Sequence, residues 1–287
     1  MNTIGVSLPW DYLTGNSVTK EAAVVKTVLG RPEEGLKFLN EIGVSSIELR
    51  HLHKSLSETD MSRAFSLLGE AGVAITIHSE DPPDSDNWSI SNLFPWFKIL
   101  ENGHSIDQKR IVIALHPLTK KGSGSVEEMR EGTIKMILKL MKKEVGWNHD
   151  YHFSLENQRV KGLIDPCTSF DTVLDVWQAV NNNDLGICWD MGHGYANYLK
   201  NDHSLIPSEE FLNLTTHTHI HDLGPGGATH WPFLTETVPL DRFIGLLRDK
   251  NYKGTFNLEL SFDRFIDVEN KKGLLEQSVS RISNIFG

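Results

Sequence analysis

Eight short apolar runs in this chain end in a polar residue, and most of those residues are carboxylates or imidazoles. In order they are TIGVSL (3–8), SSIELR (45–50), VAITIH (73–78), IVIALH (111–116), HFSLE (152–156), LGICWD (185–190), THTHIHD (216–222) and TFNLELS (255–261). Their last inward candidates are Ser7, Glu48, His78, His116, Glu156, Asp190, His219 or His221, and Glu259. Mixed oxygen and nitrogen donors of this kind suit a divalent cation. Burying several carboxylates together without one is costly, because like charges force proton uptake. The set therefore reads as a metal centre of Glu156, Asp190, His219 and Glu259, with His78 and His116 as candidates for a second ion.

Side chains on a strand alternate between two faces, and the alternation sorts these runs. Phe153 and Leu155 oppose His152, Ser154 and Glu156; Ile187 and Trp189 oppose Gly186, Cys188 and Asp190. Ile75 and Ile77 oppose Ala74, Thr76 and His78, while Ile111, Ile113 and Leu115 oppose Val112, Ala114 and His116. Phe256, Leu258 and Leu260 oppose Asn257 and Glu259. One face is large and apolar each time, as needed to pack against helices. The other is small or polar and ends in a potential ligand. Ser7 and Glu48 read as polar residues of the interior behind those ligands. His51, His53, His104, His149 and His203 read as ordinary hydrogen-bonded or solvated histidines.

The elements that must position these residues alternate along the chain. Apolar residues at three- and four-residue spacing predict helices after Pro32, after Ser57, and over 125–145, 168–180, 239–250 and 272–285. Strand-plus-helix units recur roughly every 30 to 40 residues, the spacing of parallel strands joined by crossover helices. Eight such units predict an α/β fold, a (β/α)8 barrel in one domain over 1–287, with its site at the C-terminal ends of the strands. A doubly wound open sheet is the alternative, but no GxGxxG follows the first strand. The stretch 11–31 exceeds a simple loop and predicts an extra helix at 19–29.

Composition narrows the function classes. The chain has 287 residues, 39% hydrophobic and 23% charged, the balance of an ordinary globular protein. A net charge of −10 makes nucleic acid and anionic membrane poor default partners. No run reaches the length of a membrane span, and MNTIGVSLPW does not read as a signal peptide. Two cysteines, Cys167 and Cys188, make no disulfide framework, so a reducing cytoplasm is the expected compartment.

Taken in order, SLEN (154–157), CWDMGH (188–193), HIHD (219–222), THWPF (229–233) and LELS (258–261), preceded by IHSE (77–80) and ALHP (114–117), resemble the xylose-isomerase-like barrel superfamily. That superfamily includes sugar and sugar-phosphate isomerases and epimerases and the endonuclease IV enzymes. The resemblance spans essentially the whole chain, one motif per unit. It implies that Glu156, Asp190, His219 and Glu259 bind a divalent metal and that His193 contacts substrate or a further metal. His78 and His116 match positions that hold an additional zinc in endonuclease IV. Endonuclease IV proteins also hold a third metal with an Asp two residues before the position of His230; here that residue is Ala228. The loop after the third run carries Glu80, Asp81, Asp84 and Asp86, which would repel a DNA backbone.

The expected chemistry is isomerisation or epimerisation of a sugar or sugar phosphate through an enediolate, with Glu156 and Glu259 as general acid and base. Zn²⁺ or Mn²⁺ is the expected metal, with Mg²⁺ or Co²⁺ possible. Arg159, His193 and His230 are candidates to bind substrate oxygens, and Trp10 and Trp88 to wall the pocket. The glycines of GPGGA (224–228) read as a plain turn rather than a phosphate cradle. The alternative is a two-metal hydrolase of the endonuclease IV type. A barrel that binds a sugar or a metal without turnover is the reading from outside the enzymes.

Overall fold

In a computed structural model, residues 3–82, 94–103, 106–142, 147–200 and 203–286 are described. Eight parallel strands close into a barrel in the order β1-β10-β7-β6-β5-β4-β3-β2. They are β1 (Thr3–Pro9), β2 (Ser46–Arg50), β3 (Ala74–His78), β4 (Arg110–Leu115), β5 (Asp150–Glu156), β6 (Leu185–Asp190), β7 (Thr215–Ile220) and β10 (Thr255–Leu258). Each of the eight runs forms one strand. A small antiparallel hairpin, β8 (Asp222–Gly224) and β9 (Ala228–Trp231), stands between β7 and β10. The GPGGA stretch is its turn, with Gly226 and Gly227 at φ of 67° and 72°, where a side chain would be strained.

The apolar strand faces pack outward, as their alternation predicts. Trp189 on β6 meets Phe170, Phe211 and Phe243 at centroid distances of 6.3, 6.4 and 5.2 Å. Those rings come from the helices Phe170–Val180, Glu209–Leu214 and Leu240–Asp249. The helix starts follow their caps. The Ser57 side chain accepts from Asp60 N–H in a capping box, and Gly72 ends that helix at φ 65°. The helix predicted over 125–145 runs Val126–Leu140, and residues 143–146 lie outside the described ones. No described helix is long and apolar enough to cross a membrane.

Two features shape the barrel mouth. The first is a bulge in β7. Ile187 pairs with Thr215 and Cys188 with His217, so Thr216 is the extra residue. Its hydroxyl meets Ser154 Oγ at 2.7 Å, in space left by Gly186, where a Cβ would collide with Thr216. The bulge sets Asp190 opposite His219. A one-residue slip would instead turn His217 and His219 away from the interior.

The second feature is the extra helix that the sequence predicts, which runs Lys20–Leu29 and is capped by Thr19. Buried Asp11 anchors its start, accepting from Thr19 N–H at 2.7 Å and from the Thr19 hydroxyl at 2.9 Å. This brings Glu21 onto Arg50 at the end of β2. Replacing buried Asp11 with Ala removes the acceptor of both half-buried Thr19 donors and should cost about 1–3 kcal/mol in a urea denaturation. An unchanged midpoint would mean that Asp11 does not anchor the helix.

Candidate metal centre

At the C-terminal ends of the strands three carboxylates are buried together. Glu156 ends β5, Asp190 ends β6, and Glu259 follows β10; they are 1%, 0% and 5% exposed. His219 on β7 stands among them, with Nδ1 3.3 Å from Glu156 Oε2 and 3.3 Å from Glu259 Oε2. Asp190 is fixed by its backbone, which trades two 2.9 Å hydrogen bonds with the Asn157 amide. Its Oδ1 accepts from His193 N–H at 2.6 Å and so caps the helix Met191–Tyr198.

Further imidazoles ring this group. His116 Nε2 lies 3.2 Å from Glu156 Oε2, and His78 Nε2 lies 3.5 Å from Glu259 Oε1. His193 Nδ1 lies 3.2 Å from Glu156 Oε1 and 3.1 Å from Asp190 Oδ2. His221 Nε2 is 3.2 Å from Asp190 Oδ1, and His230 Nδ1 is 3.4 Å from Glu259 Oε2. For three of them the other nitrogen is engaged away from the carboxylates. His78 Nδ1 meets Ser79 O at 2.8 Å, and His116 Nδ1 meets Asp81 Oδ1 at 2.7 Å. His221 Nδ1 accepts from His230 N–H at 3.0 Å. His230 itself sits at φ 61°, a costly conformation for a residue with a side chain.

The donors fit a divalent cation. Both Glu156 oxygens, Asp190 Oδ2, Glu259 Oε2 and His219 Nδ1 are buried without a hydrogen bond of good geometry. Such groups are costly to leave unpaired, and a cation would satisfy all of them. Among the described residues, Glu156, Asp190 and His219 bring ligand atoms within 4.8 Å of one another. His78, His116 and Glu156 do the same, as do His193, His221 and His230.

Electrostatics follow from the packing. Burial alone would raise the Glu156 carboxyl, but His116 and His219 outweigh it and hold the group well below the usual range. Glu259 is likewise lowered against its burial, by His230, His219 and His78. Burial pulls His116 down, yet Glu156 and Asp81 beside it lift its imidazolium to about 10. Arg50 adds a fixed positive charge. It is 4% exposed, with Nη1 3.3 Å from Glu259 Oε1 and Nη2 donating to Leu260 O at 2.7 Å.

Eight residues predicted from the sequence thus meet in one cluster: His78, His116, Glu156, Asp190, His193, His219, His230 and Glu259. Trp10 does not join them. It is 1% exposed, packed edge-on to Phe65 at 5.3 Å and stacked on Trp96 at 6.5 Å, so neither ring face is open to a sugar. Its place directly after β1 turns it under the following helices. Arg159 is half-buried just beyond β5. Trp88 lies outside the described residues. Sequence reasoning passed over Arg50 and His217, and left His221 as an alternative to His219. Arg50 and His221 stand two residues past Glu48 and His219, on the same face, so one more step of the alternation would have found them. Nothing local in the sequence signals Glu21.

The comparisons with known proteins agree with this architecture. A model of the xylose isomerase-like TIM barrel family matches residues 36–284. The chain belongs to that family. No curated protein matches it. Among solved structures it resembles D-psicose 3-epimerase with D-tagatose from Clostridium cellulolyticum H10, at TM-score 0.65 and 12% identity over 98% of both chains. It also resembles 3-keto-D-glucoside 4-epimerase from E. coli, at 0.62 and 14% identity over 99% of this chain and 100% of that one. A third likeness is to the IOLI protein with a bound zinc atom, at 0.60 and 14% identity over 98% and 97%. Identities this low establish the fold alone.

The cluster depends on a close backbone approach. Gly192 leaves room for the His221 ring, which a Cβ would overlap. Gly192→Ala should therefore displace His221 and cost about 1–3 kcal/mol through overpacking. Equal stability in urea would show that His221 is not held against this helix.

Proposed function

We propose that this protein is a divalent-metal-dependent sugar or sugar-phosphate isomerase or epimerase, acting as one barrel domain over 1–287. Its substrate is a small carbohydrate, and the buried free thiols Cys167 and Cys188 suit a cytoplasmic enzyme. One observation carries the reading. Glu156 ends β5 and Glu259 follows β10, with β6 and β7 between those strands, and each places a buried carboxylate oxygen 3.3 Å from one imidazole nitrogen. Paired carboxylates in that arrangement can serve two faces of a substrate carbon, one removing a proton and the other returning it. The similar structures, sugar epimerases among them, support the substrate class.

Glu156, Asp190, His219 and Glu259 would hold the cation, Zn²⁺ or Mn²⁺ by preference and Mg²⁺ or Co²⁺ otherwise. When bound it would supply the positive charge that stabilises an enediolate. His193 and His230 face the same space and would orient substrate oxygens, and Arg159 at the rim would reach a hydroxyl or phosphate. Arg50 keeps Glu259 aimed inward. Asp81, exposed beside His116, puts negative charge at the mouth, which disfavours a nucleic-acid backbone.

A second reading, a two-metal hydrolase, draws on the grouping of His78, His116 and Glu156. Metal analysis separates the two. About one ion per chain supports the isomerase, whereas two or more favours hydrolysis. Glu156→Gln and Glu259→Gln should each lower turnover of ketoses or ketose phosphates at least ~10²-fold. Solvent deuterium should appear at the carbon beside the carbonyl, and turnover without it would refute proton transfer.

Proton competition gives a further expectation. In the metal-free chain His116 holds its proton up to about 10, so any cation seated there must displace it. Affinity for a second ion should then rise with pH from 6 to 9, by up to about tenfold per unit for each proton released. A pH-independent titration would place that ion elsewhere.

A further inference from the structure

Beneath the metal centre, in the barrel interior, lies a carboxylate that touches none of its three carboxylates. Glu48 on β2 is 0% exposed. Its Oε1 accepts from Ser7 Oγ at 2.7 Å and from Asn257 Nδ2 at 2.8 Å. Its Oε2 accepts from His217 Nε2 at 2.8 Å and from His219 Nε2 at 3.0 Å. These four donors come from β1, β10 and β7 and use the lone pairs that a carboxylate offers. A proton on Glu48 would break one of these bonds.

The consequence falls on His219. A carboxylate only accepts, so the nitrogen facing Glu48 must carry hydrogen. In a neutral imidazole the lone pair is then on Nδ1, the nitrogen that faces Glu156 and Glu259. We infer that Glu48 is a positioning residue for the metal centre: it fixes His219 as the Nε2–H form, turns its Nδ1 to the cation and strengthens it as a donor. This rests on the metal reading proposed above. Histidine ligands gain orientation and basicity from an acceptor on their second nitrogen, and losing such a partner typically weakens metal binding about 10–100-fold.

His217 and Asn257 complete the device. His217 shares Oε2 and braces the carboxylate against rotation toward either imidazole alone. Asn257 stands at the level of His219 on the neighbouring strand and leaves its own Oδ1 unpartnered. An Asn257 flip would present that oxygen to an amide at position 48. Glu48→Gln can therefore be accommodated: it keeps an acceptor for His219 and removes only the charge.

The test is titration of the metal-free protein with Co²⁺, alongside melting temperatures with and without metal. Glu48→Ala should bind Co²⁺ about 10–100-fold more weakly than wild type, with Glu48→Gln between the two. The loss should appear as a smaller metal-induced rise in melting temperature. In the Zn²⁺-loaded wild type, nitrogen NMR should find His219 coordinated through Nδ1 with hydrogen on Nε2. Wild-type Co²⁺ affinity in both variants overturns the proposal, as does coordination through Nε2. A purely structural Glu48 would lower both melting temperatures equally and leave affinity unmoved. If Glu48→Ala does not fold, Glu48→Gln decides. Wild-type protein that binds no Co²⁺ fails the metal reading itself, an outcome distinct from equal affinities.

Discussion

Three carboxylates buried within reach of the same imidazoles make a demand that the rest of the barrel mouth answers. Glu156, Asp190 and Glu259 cannot all stay ionised in an apolar interior without positive partners. Arg50 supplies one fixed charge, held by Glu21 from a helix that the strands do not need. Histidines supply the remaining contacts, and His78, His116, His219 and His221 each present one nitrogen while the other is tied to backbone or to a further carboxylate. The small inner residues Ala114, Ser154, Gly186 and Cys188 leave the room this needs. Bulky aliphatics in the same layer would fill the barrel and leave no site.

That arrangement tolerates little backbone freedom. The bulge at Thr216 sets the phase of β7, and Gly186 on the adjacent strand makes the bulge sterically possible. Gly192 does the same for His221 in the first turn of the next helix. His230, held in a strained conformation, closes the ring from the hairpin. The costs of bulge and strain are local, and the apolar shell of Trp189, Phe170, Phe211 and Phe243 stabilises the framework that bears them.

The fold itself does not choose a chemistry, since one barrel serves many. What this chain adds is a gradation of donors. Carboxylates and one imidazole stand at the centre, and two further imidazole groupings adjoin it. Under the proposed function the central set would carry proton transfer beside a carbonyl. On that reading the flanking groups would seat further cations or hydrogen-bond substrate oxygens, and acidic Asp81 at one edge would favour a small neutral or weakly charged substrate over a polyanion.

Alternation along the chain was enough to find the strands, their apolar faces and the residue at the end of each, because side-chain period and strand order are local properties. It also carried Glu156, Asp190, His219 and Glu259 to the same end of the barrel. It could not find the Arg50–Glu21 pair, whose partners come from a strand and an inserted helix, nor the four-way contact at Glu48, which joins residues up to 209 positions apart. Trp10 shows the converse. Its place after β1 suggested a pocket wall, yet the following helices enclose it. The sequence by itself determined which residues point inward at the strand ends. Only the closed barrel decided which of them touch, because those distances depend on the bulge, the tight glycine contacts and the curvature that brings β10 back to β1.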